Sequence, residues 1–217
     1  MVYPATRRQT IHVQNLPADS LTCAAALIAA SFRHEGFTRH THNLSTPARQ
    51  QRFAEAGALR LWLNQASGHQ LLAANQGERL VGVAVVKPPT ARSVPWFTLL
   101  WAVVRRAPRL LPILGDLRWR QAWRIRPALQ PPATLPPAAY TLDLLAVALD
   151  VQGQGIGRRL LEHIHAHCDH DHNASGIYLY TGDEQNTQIY QRCGYTMLQV
   201  NQGGPLTVWH MFRPRPA

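Results

Sequence analysis

Cysteine is scarce: Cys23, Cys168 and Cys193 are the only three among 217 residues, an odd number without the spacing of a disulfide scaffold. The fold is therefore expected to rest on its core, in a reducing compartment. Nowhere does the chain run through the roughly 18 apolar residues of a membrane span, and residues 1–17 lack the apolar stretch of a secretory signal. A cytoplasmic location is the expectation. Acids are few as well, with 12 Asp and Glu against 22 Lys and Arg and a formal charge of +10; this admits anionic partners and names none. No internal repeat is visible. A hydrophobic content of 46% excludes a disordered chain, and the length suits one moderately large domain spanning residues 1–217.

What is present is concentrated in residues 142–159, LDLLAVALDVQGQGIGRR, where an apolar strand empties into a glycine-punctuated loop that opens a helix. Gly153, Gly155 and Gly157 lack Cβ atoms, so the turn can adopt left-handed dihedrals and aim backbone N–H groups at an anion. The helix that follows adds unpaired donors and the positive end of its dipole. A diphosphate-bearing ligand fits this description. A Walker A loop would require Lys and then Ser or Thr after its last glycine, where this chain has Arg158 and Arg159. A dinucleotide fingerprint would require a third glycine at position 158.

The spacing that does fit resembles the acyl-CoA loop of the GNAT acetyltransferase superfamily. That loop has Gln or Arg, two residues, Gly, one residue, then Gly or Ala, and here Gln152, Gly153, Gln154, Gly155, Ile156 and Gly157 match every fixed position. The flanks agree with the resemblance. Residues 140–147 read as a strand, and Ile156, Leu160, Leu161, Ile164 and Cys168 fall on one helical face. Residues 173–176 break that helix and residues 177–180 read as a further strand. The run NTQIYQRCGY from Asn186 to Tyr195 then resembles the superfamily's N-x-x-x-Y-x-x-x-G-[FY] signature.

The rest of the chain gives a mixed α/β order compatible with a GNAT-type fold and a mixed, twisted sheet. Residues 10–13 read as a strand, 17–19 as a turn, and 20–30 as an alanine-rich helix. A second helix over 47–64 is opened by Thr46 and Pro47. Residues 69–74 and 80–86 form a hairpin around a glycine turn, and 195–200 with 207–212 form a last pair. Residues 88–139, between the third and fourth strands, read as a basic helical insertion. It carries Arg92, Arg105, Arg106, Arg109, Arg118, Arg120, Arg124 and Arg126 against the single acid Asp116, with Trp96, Trp101, Trp119 and Trp123. Helices are expected over 97–104 and 113–125. This placement resembles the puromycin N-acetyltransferase-like branch of the superfamily. Arginine stems laid over apolar surface are one reading of the insertion; tryptophans lining an acceptor pocket are another; nucleic acid or an anionic membrane surface is a third.

The resemblance implies an N-acetyltransferase that moves an acetyl group from acetyl-CoA directly to a primary amine of a small molecule or peptide, as a monomer or homodimer. It implies that Leu145, Ala146 and Val147 pair with the pantetheine arm like an added strand, with the Val147 N–H on the thioester carbonyl. Gln152, Gly153, Gln154, Gly155, Ile156 and Gly157 would take the pyrophosphate, Arg158 or Arg159 adding charge. Asn186 matches the asparagine beside the pantetheine, and Tyr190 matches the tyrosine that protonates the leaving sulfur. Asp143, four residues before Val147, is placed on the same strand face by period-two alternation. It is a candidate general base, the bland reading being a carboxylate paired with an insertion arginine. A non-catalytic acyl-CoA-binding regulator, or a membrane or nucleic-acid binder acting through the insertion, are the alternatives from other classes.

Two constellations draw bland readings. His163, His165, His167, His170 and His172 crowd ten residues, but His163, His167 and His170 share the helix face opposite the apolar stripe, and no catalytic metal is expected. Cys193 reads as a small buried thiol, and Gly182 with Asp183 as a turn.

Overall fold

The computed structural model describes residues 10–33, 35–91, 104 and 114–216. Its centre is a seven-stranded sheet in the order β1-β2-β3-β4-β5-β7-β6. The strands are β1 (Ile11–Asn15), β2 (Gln70–Gln76), β3 (Arg79–Lys87), β4 (Ala139–Val147), β5 (Gly176–Thr181), β6 (Thr196–Gly203) and β7 (Leu206–Pro214). All neighbours are antiparallel except β4 and β5. The mixed α/β architecture expected from the sequence is thus the observed one. Both faces of the sheet are covered, which explains why β3, at the centre, reads as an unbroken apolar run with six consecutive buried residues.

On one face lie α1 (Leu21–Phe32) and α3 (Pro47–Ala66). Leu21, Ala24, Ala25 and Ile28 form the buried stripe of α1, and small residues let the helices close: a Cβ on Gly57 of α3 would stand 3.6 Å from the Ala25 Cβ. The other face is covered by α5 (Ile156–His170), whose Ile156, Leu160, Leu161, Ile164 and Cys168 are all buried. Gly82 of β3 allows that approach, since a Cβ there would meet Ile156 at 3.0 Å and Leu160 at 3.1 Å. α6 (Glu184–Arg192) follows β5, with the Asp183 carboxylate accepting from the Gln185 N–H as its cap.

The chain between β3 and β4 departs from expectation in its details. The helix read over 97–104 lies outside the described residues, apart from Val104, which is helical and exposed. The expected helix over 113–125 is interrupted: residues 114–116 are helical, Leu117 leaves to bridge His42 antiparallel, and α4 (Trp119–Ile125) then begins. A 3-10 turn, Arg126–Leu129, continues from it. A short helix the sequence did not announce, α2 (Gly36–Thr41), packs against α4; six residues are too few to show a period, and its cap is the Glu35 carboxylate, which accepts from the N–H groups of Phe37 and Thr38.

Asp116, the acid among the arginines of the β3–β4 connection, pairs with none of those among the described residues. It is 4% exposed and receives Arg49 at 2.9 Å and Arg52 at 2.7 Å, both from α3. Its backbone carbonyl also accepts from the Asn43 N–H. This staple ties the β3–β4 connection to α3. Asp116→Ala is expected to lower stability by about 2 kcal/mol, less than the roughly 3–5 kcal/mol of a fully buried broken pair because both arginines are partly exposed and can rehydrate; the shift of a urea unfolding midpoint measures it.

Candidate active site

β4 and β5 pair only through residues 139–141 and 176–178, although both strands run on, so they splay apart like a V. One edge of β4 is thereby left open. The Ala148 N–H bonds the Val81 carbonyl at 2.9 Å, and antiparallel residues alternate in the side to which their polar groups turn. The backbone groups of Val147 and Leu145 therefore face away from β3 and into the V. The Val147 carbonyl is already taken by Ser31 Oγ at 2.9 Å and Gln152 Nε2 at 3.1 Å, which fixes the strand end and leaves its N–H directed into the opening.

The loop after β4 is held by a turn, Leu149–Val151, and by an Asp150–Arg79 ion pair at 2.7 Å. Gly153 and Gly155 sit at φ of 78° and 82°, the left-handed region where a side chain is strained. Neither would meet a neighbour if a Cβ were added, so dihedral demand explains these two glycines, and crowding does not. Gly155 is the N-cap of α5 and no side chain caps it. Among the described residues, the backbone N–H groups of residues 152–158 meet no acceptor, and the first helical bond is closed by the Arg159 N–H on the Gly155 carbonyl at 3.0 Å. Residues 152–155 are exposed. A concave run of free donors at a helix N-terminus binds anions. Gly157 packs this turn on the strand, its Cβ position lying 3.5 Å from Leu145 and 3.6 Å from Val147. Arg158 spends its charge on Glu162 at 2.8 Å, whereas Arg159 has no ion-pair partner among the described residues.

A cavity of about 320 Å³ opens at the splay, and Asp143, Leu145, Asn186 and Tyr190 all line it. Four residues singled out in the sequence are thus brought to one space. The Tyr190 hydroxyl meets no hydrogen-bond partner among the described residues, its ring lies edge-on to Tyr195 with centroids 5.6 Å apart, and burial pushes its pKa up to about 12. At neutral pH it is a protonated donor without a fixed acceptor. Ala146 does not share this space; it is 2% exposed and packs with α1 and α3.

Asp143 is where strand alternation misleads. Val85 pairs with Leu144 and Val86 with Leu142, so Asp143 is the extra residue of a β-bulge. Leu142 packs with the α5 side and Leu144 with the α1–α3 side. Asp143 consequently faces the α3 side and does not share a face with Val147, which packs toward α5. Nor, among the described residues, does it pair with an arginine of the β3–β4 connection. Its partner is His69, with Nε2 3.3 Å from Oδ2. Burial raises the Asp143 pKa, opposed by His69, Arg60 and Lys87, while burial lowers that of His69, which sits between Asp143 and Lys87. His69 Nδ1 is buried without a partner. Sequence reasoning misses His69, because a single histidine at the start of a strand resembles any other.

Trp119 and Trp123, the described tryptophans of the connection, do not line the cavity. Trp119 and Trp123 are 49% and 63% exposed, Arg126 stacks on Trp123 at 5.4 Å, and Trp96 and Trp101 lie outside the described residues. The lining residue this segment supplies is Leu129. Among the described residues no group of three or more His, Cys, Asp and Glu could hold a metal; in the histidine run, His165 Nε2 meets the Tyr195 hydroxyl and His167 Nε2 meets Gln70. No helix among them is long and apolar enough to cross a membrane.

Residues 125–197, which span β4, the loop, α5, β5 and α6, match the model of the acetyltransferase (GNAT) domain. No protein of curated function matches the sequence. Solved structures do resemble the fold. The histone acetyltransferase HPA2 and related acetyltransferase from Corynebacterium glutamicum is 18% identical with a TM-score of 0.66, over 96% of this chain and 98% of that one. The ribosomal-protein-S18-alanine N-acetyltransferase from Escherichia coli is 15% identical with a TM-score of 0.52, over 96% of each. The C-terminal condensation domain of Ebony, in complex with beta-alanyl-dopamine, is 11% identical with a TM-score of 0.60, over 95% of this chain and 99% of that one. The fold is that of GNAT acetyltransferases.

Proposed function

We propose that the protein is an acetyl-CoA-dependent N-acetyltransferase that passes the acetyl group directly to a primary amine. The observation that carries this reading is the series of N–H donors over residues 152–158 that meet no acceptor among the described residues, set at the open edge of β4. Those donors suit a diphosphate, the Leu145 and Val147 backbone suits an extended amide-bearing arm, and the Val147 N–H suits a carbonyl oxygen gaining negative charge. Among the neighbouring folds one is a ribosomal-protein-S18-alanine N-acetyltransferase, while another is in complex with beta-alanyl-dopamine. Fold alone leaves the acceptor open.

The chemistry asked of the residues is aminolysis of a thioester. An alkylammonium near pKa ~10.4 must lose a proton before its nitrogen attacks, and Asp143 takes that proton. The nitrogen–carbon bond forms, the carbon–sulfur bond breaks, and Tyr190 gives its proton to the departing sulfur. Solvent exchange then restores both groups. His69 is a positioning residue here: its ring orients the Asp143 carboxylate and holds its charge.

A pH dependence follows with a definite sign. A raised carboxyl pKa means that Asp143 is protonated, and useless as a base, until pH climbs past the usual carboxylate range, so kcat/KM is expected to fall on the acid side as pH drops through that value. Asp143→Asn removes this limb and lowers kcat/KM by about 10²-fold. His69→Gln removes a group that favours the charged carboxylate, and moves the limb to higher pH. A profile unchanged in both variants would take Asp143 out of the mechanism. The function itself is tested by following free thiol from acetyl-CoA with a panel of amines: amine-dependent release is expected, and binding without release would leave a regulatory module.

A further inference from the structure

This inference rests on the acetyl-transfer reading and names its acceptor. Beyond Asp143, Leu145, Asn186 and Tyr190, the cavity wall is contributed by Ile28 and Phe32 of α1, Phe37 of α2, Phe53 of α3, Leu129 and Leu206. These come from five separate elements and present three aromatic rings and three aliphatic side chains. The charged lining is Glu35, Arg60 and Asp143, and burial lowers the pKa of His42 beside them. Glu35 is occupied, both carboxylate oxygens accepting from the backbone of α2. Arg60 has no ion-pair or hydrogen-bond partner among the described residues, and its guanidinium acts electrostatically on both Asp143 and Tyr180. Asp143, which meets only the His69 ring at 3.3 Å, is the more available carboxylate for a ligand cation, with a fixed positive charge nearby.

We propose that the acceptor is a small monoamine on an apolar body of aromatic-ring size, its nitrogen at Asp143 and its body against the rings of Phe32, Phe37 and Phe53. A second ammonium, as in a polyamine, would meet Arg60, an apolar wall, or a Glu35 carboxylate already engaged by the backbone of α2. The many hydroxyl and ammonium groups of an aminoglycoside would be stripped of water against leucine and phenylalanine, at about 1–3 kcal/mol for each group left unpaired. A peptide terminus brings backbone amides that need partners of their own, and the aromatic part of the wall supplies none. The volume of about 320 Å³ lies at the small end for ligand sites, which suits a single ring on a short alkyl tether.

The test uses the full chain, acetyl-CoA and a thiol-release assay with 2-phenylethylamine, hexylamine, spermidine, kanamycin and an alanine-initiated peptide, beside calorimetry of acetyl-CoA binding. The expected result is a kcat/KM for 2-phenylethylamine about 100-fold or more above those for spermidine, kanamycin and the peptide. Ala29→Phe, which fills the cavity from α1, is expected to raise the KM for 2-phenylethylamine at least ~10-fold with the affinity for acetyl-CoA unchanged. Preferred turnover of the polyamine, the aminoglycoside or the peptide overturns the proposal and leaves acetyl transfer standing. Acetyl-CoA binding without thiol release from any amine removes the transfer reading, and this proposal with it.

Discussion

Tyr190→Phe lowers the turnover number for amine acetylation by about 10²–10³-fold and leaves the dissociation constant for acetyl-CoA within about twofold. The substitution deletes one oxygen whose hydrogen-bond capacity is unused among the described residues, so packing against Tyr195 is retained and no buried partner is orphaned. Burial keeps the phenol protonated, with a pKa of about 12. A neutral donor of this kind acts when negative charge gathers on the departing sulfur, which makes its contribution one of the transition state and not of ground-state binding. Steady-state kinetics beside calorimetry separate the two. Equal losses in affinity and turnover would make Tyr190 a binding residue, and no loss in either would remove it from the chemistry.

The second large effect is expected at the loop. Gly155 has φ 82°, and valine there must strain by about 1–3 kcal/mol or move the loop out of its left-handed turn. Either response disturbs the donors of residues 152–158, so Gly155→Val is expected to weaken acetyl-CoA binding by about 10–100-fold. Turnover at saturating cosubstrate should change far less. Any fall in melting temperature should stay within the several degrees that this backbone strain accounts for, since the added Cβ meets no atom within 4 Å. Titration calorimetry on the variant, with circular dichroism for its fold, decides between this and a general destabilisation. An affinity equal to that of the parent would mean that the loop geometry is not used for binding.

Much of the architecture was legible because the signals are local. The apolar stripe of α5, the glycine turn before it and the hairpins around Gly77 and Gly204 are each written within a dozen residues or so of one another. The same holds for the Gln152–Gly157 pattern and for the Asn186–Tyr190 spacing, which the fold brings to the two arms of the splay. What escaped is non-local. LDLLAV reads as a regular strand whether or not it carries a bulge, so the face of Asp143 depends on its pairing with β3 and not on its own neighbours. His69 becomes notable only once the start of β2, across β3 from β4, brings its ring to Asp143. Asp116 sits among arginines in sequence, yet its partners Arg49 and Arg52 lie on a helix more than sixty residues earlier. The tryptophans of the β3–β4 connection are conspicuous as composition, but exposure of Trp119 and Trp123 shows that hydrophobic character does not by itself locate a pocket wall.

The claim on which the account turns is that main-chain donors over residues 152–158 hold the diphosphate of coenzyme A beside the open edge of β4. Isothermal titration of the full chain with acetyl-CoA addresses it most directly. The account predicts one molecule bound per chain with a measurable heat, and competition by coenzyme A. A flat titration with both, on folded protein, would contradict it.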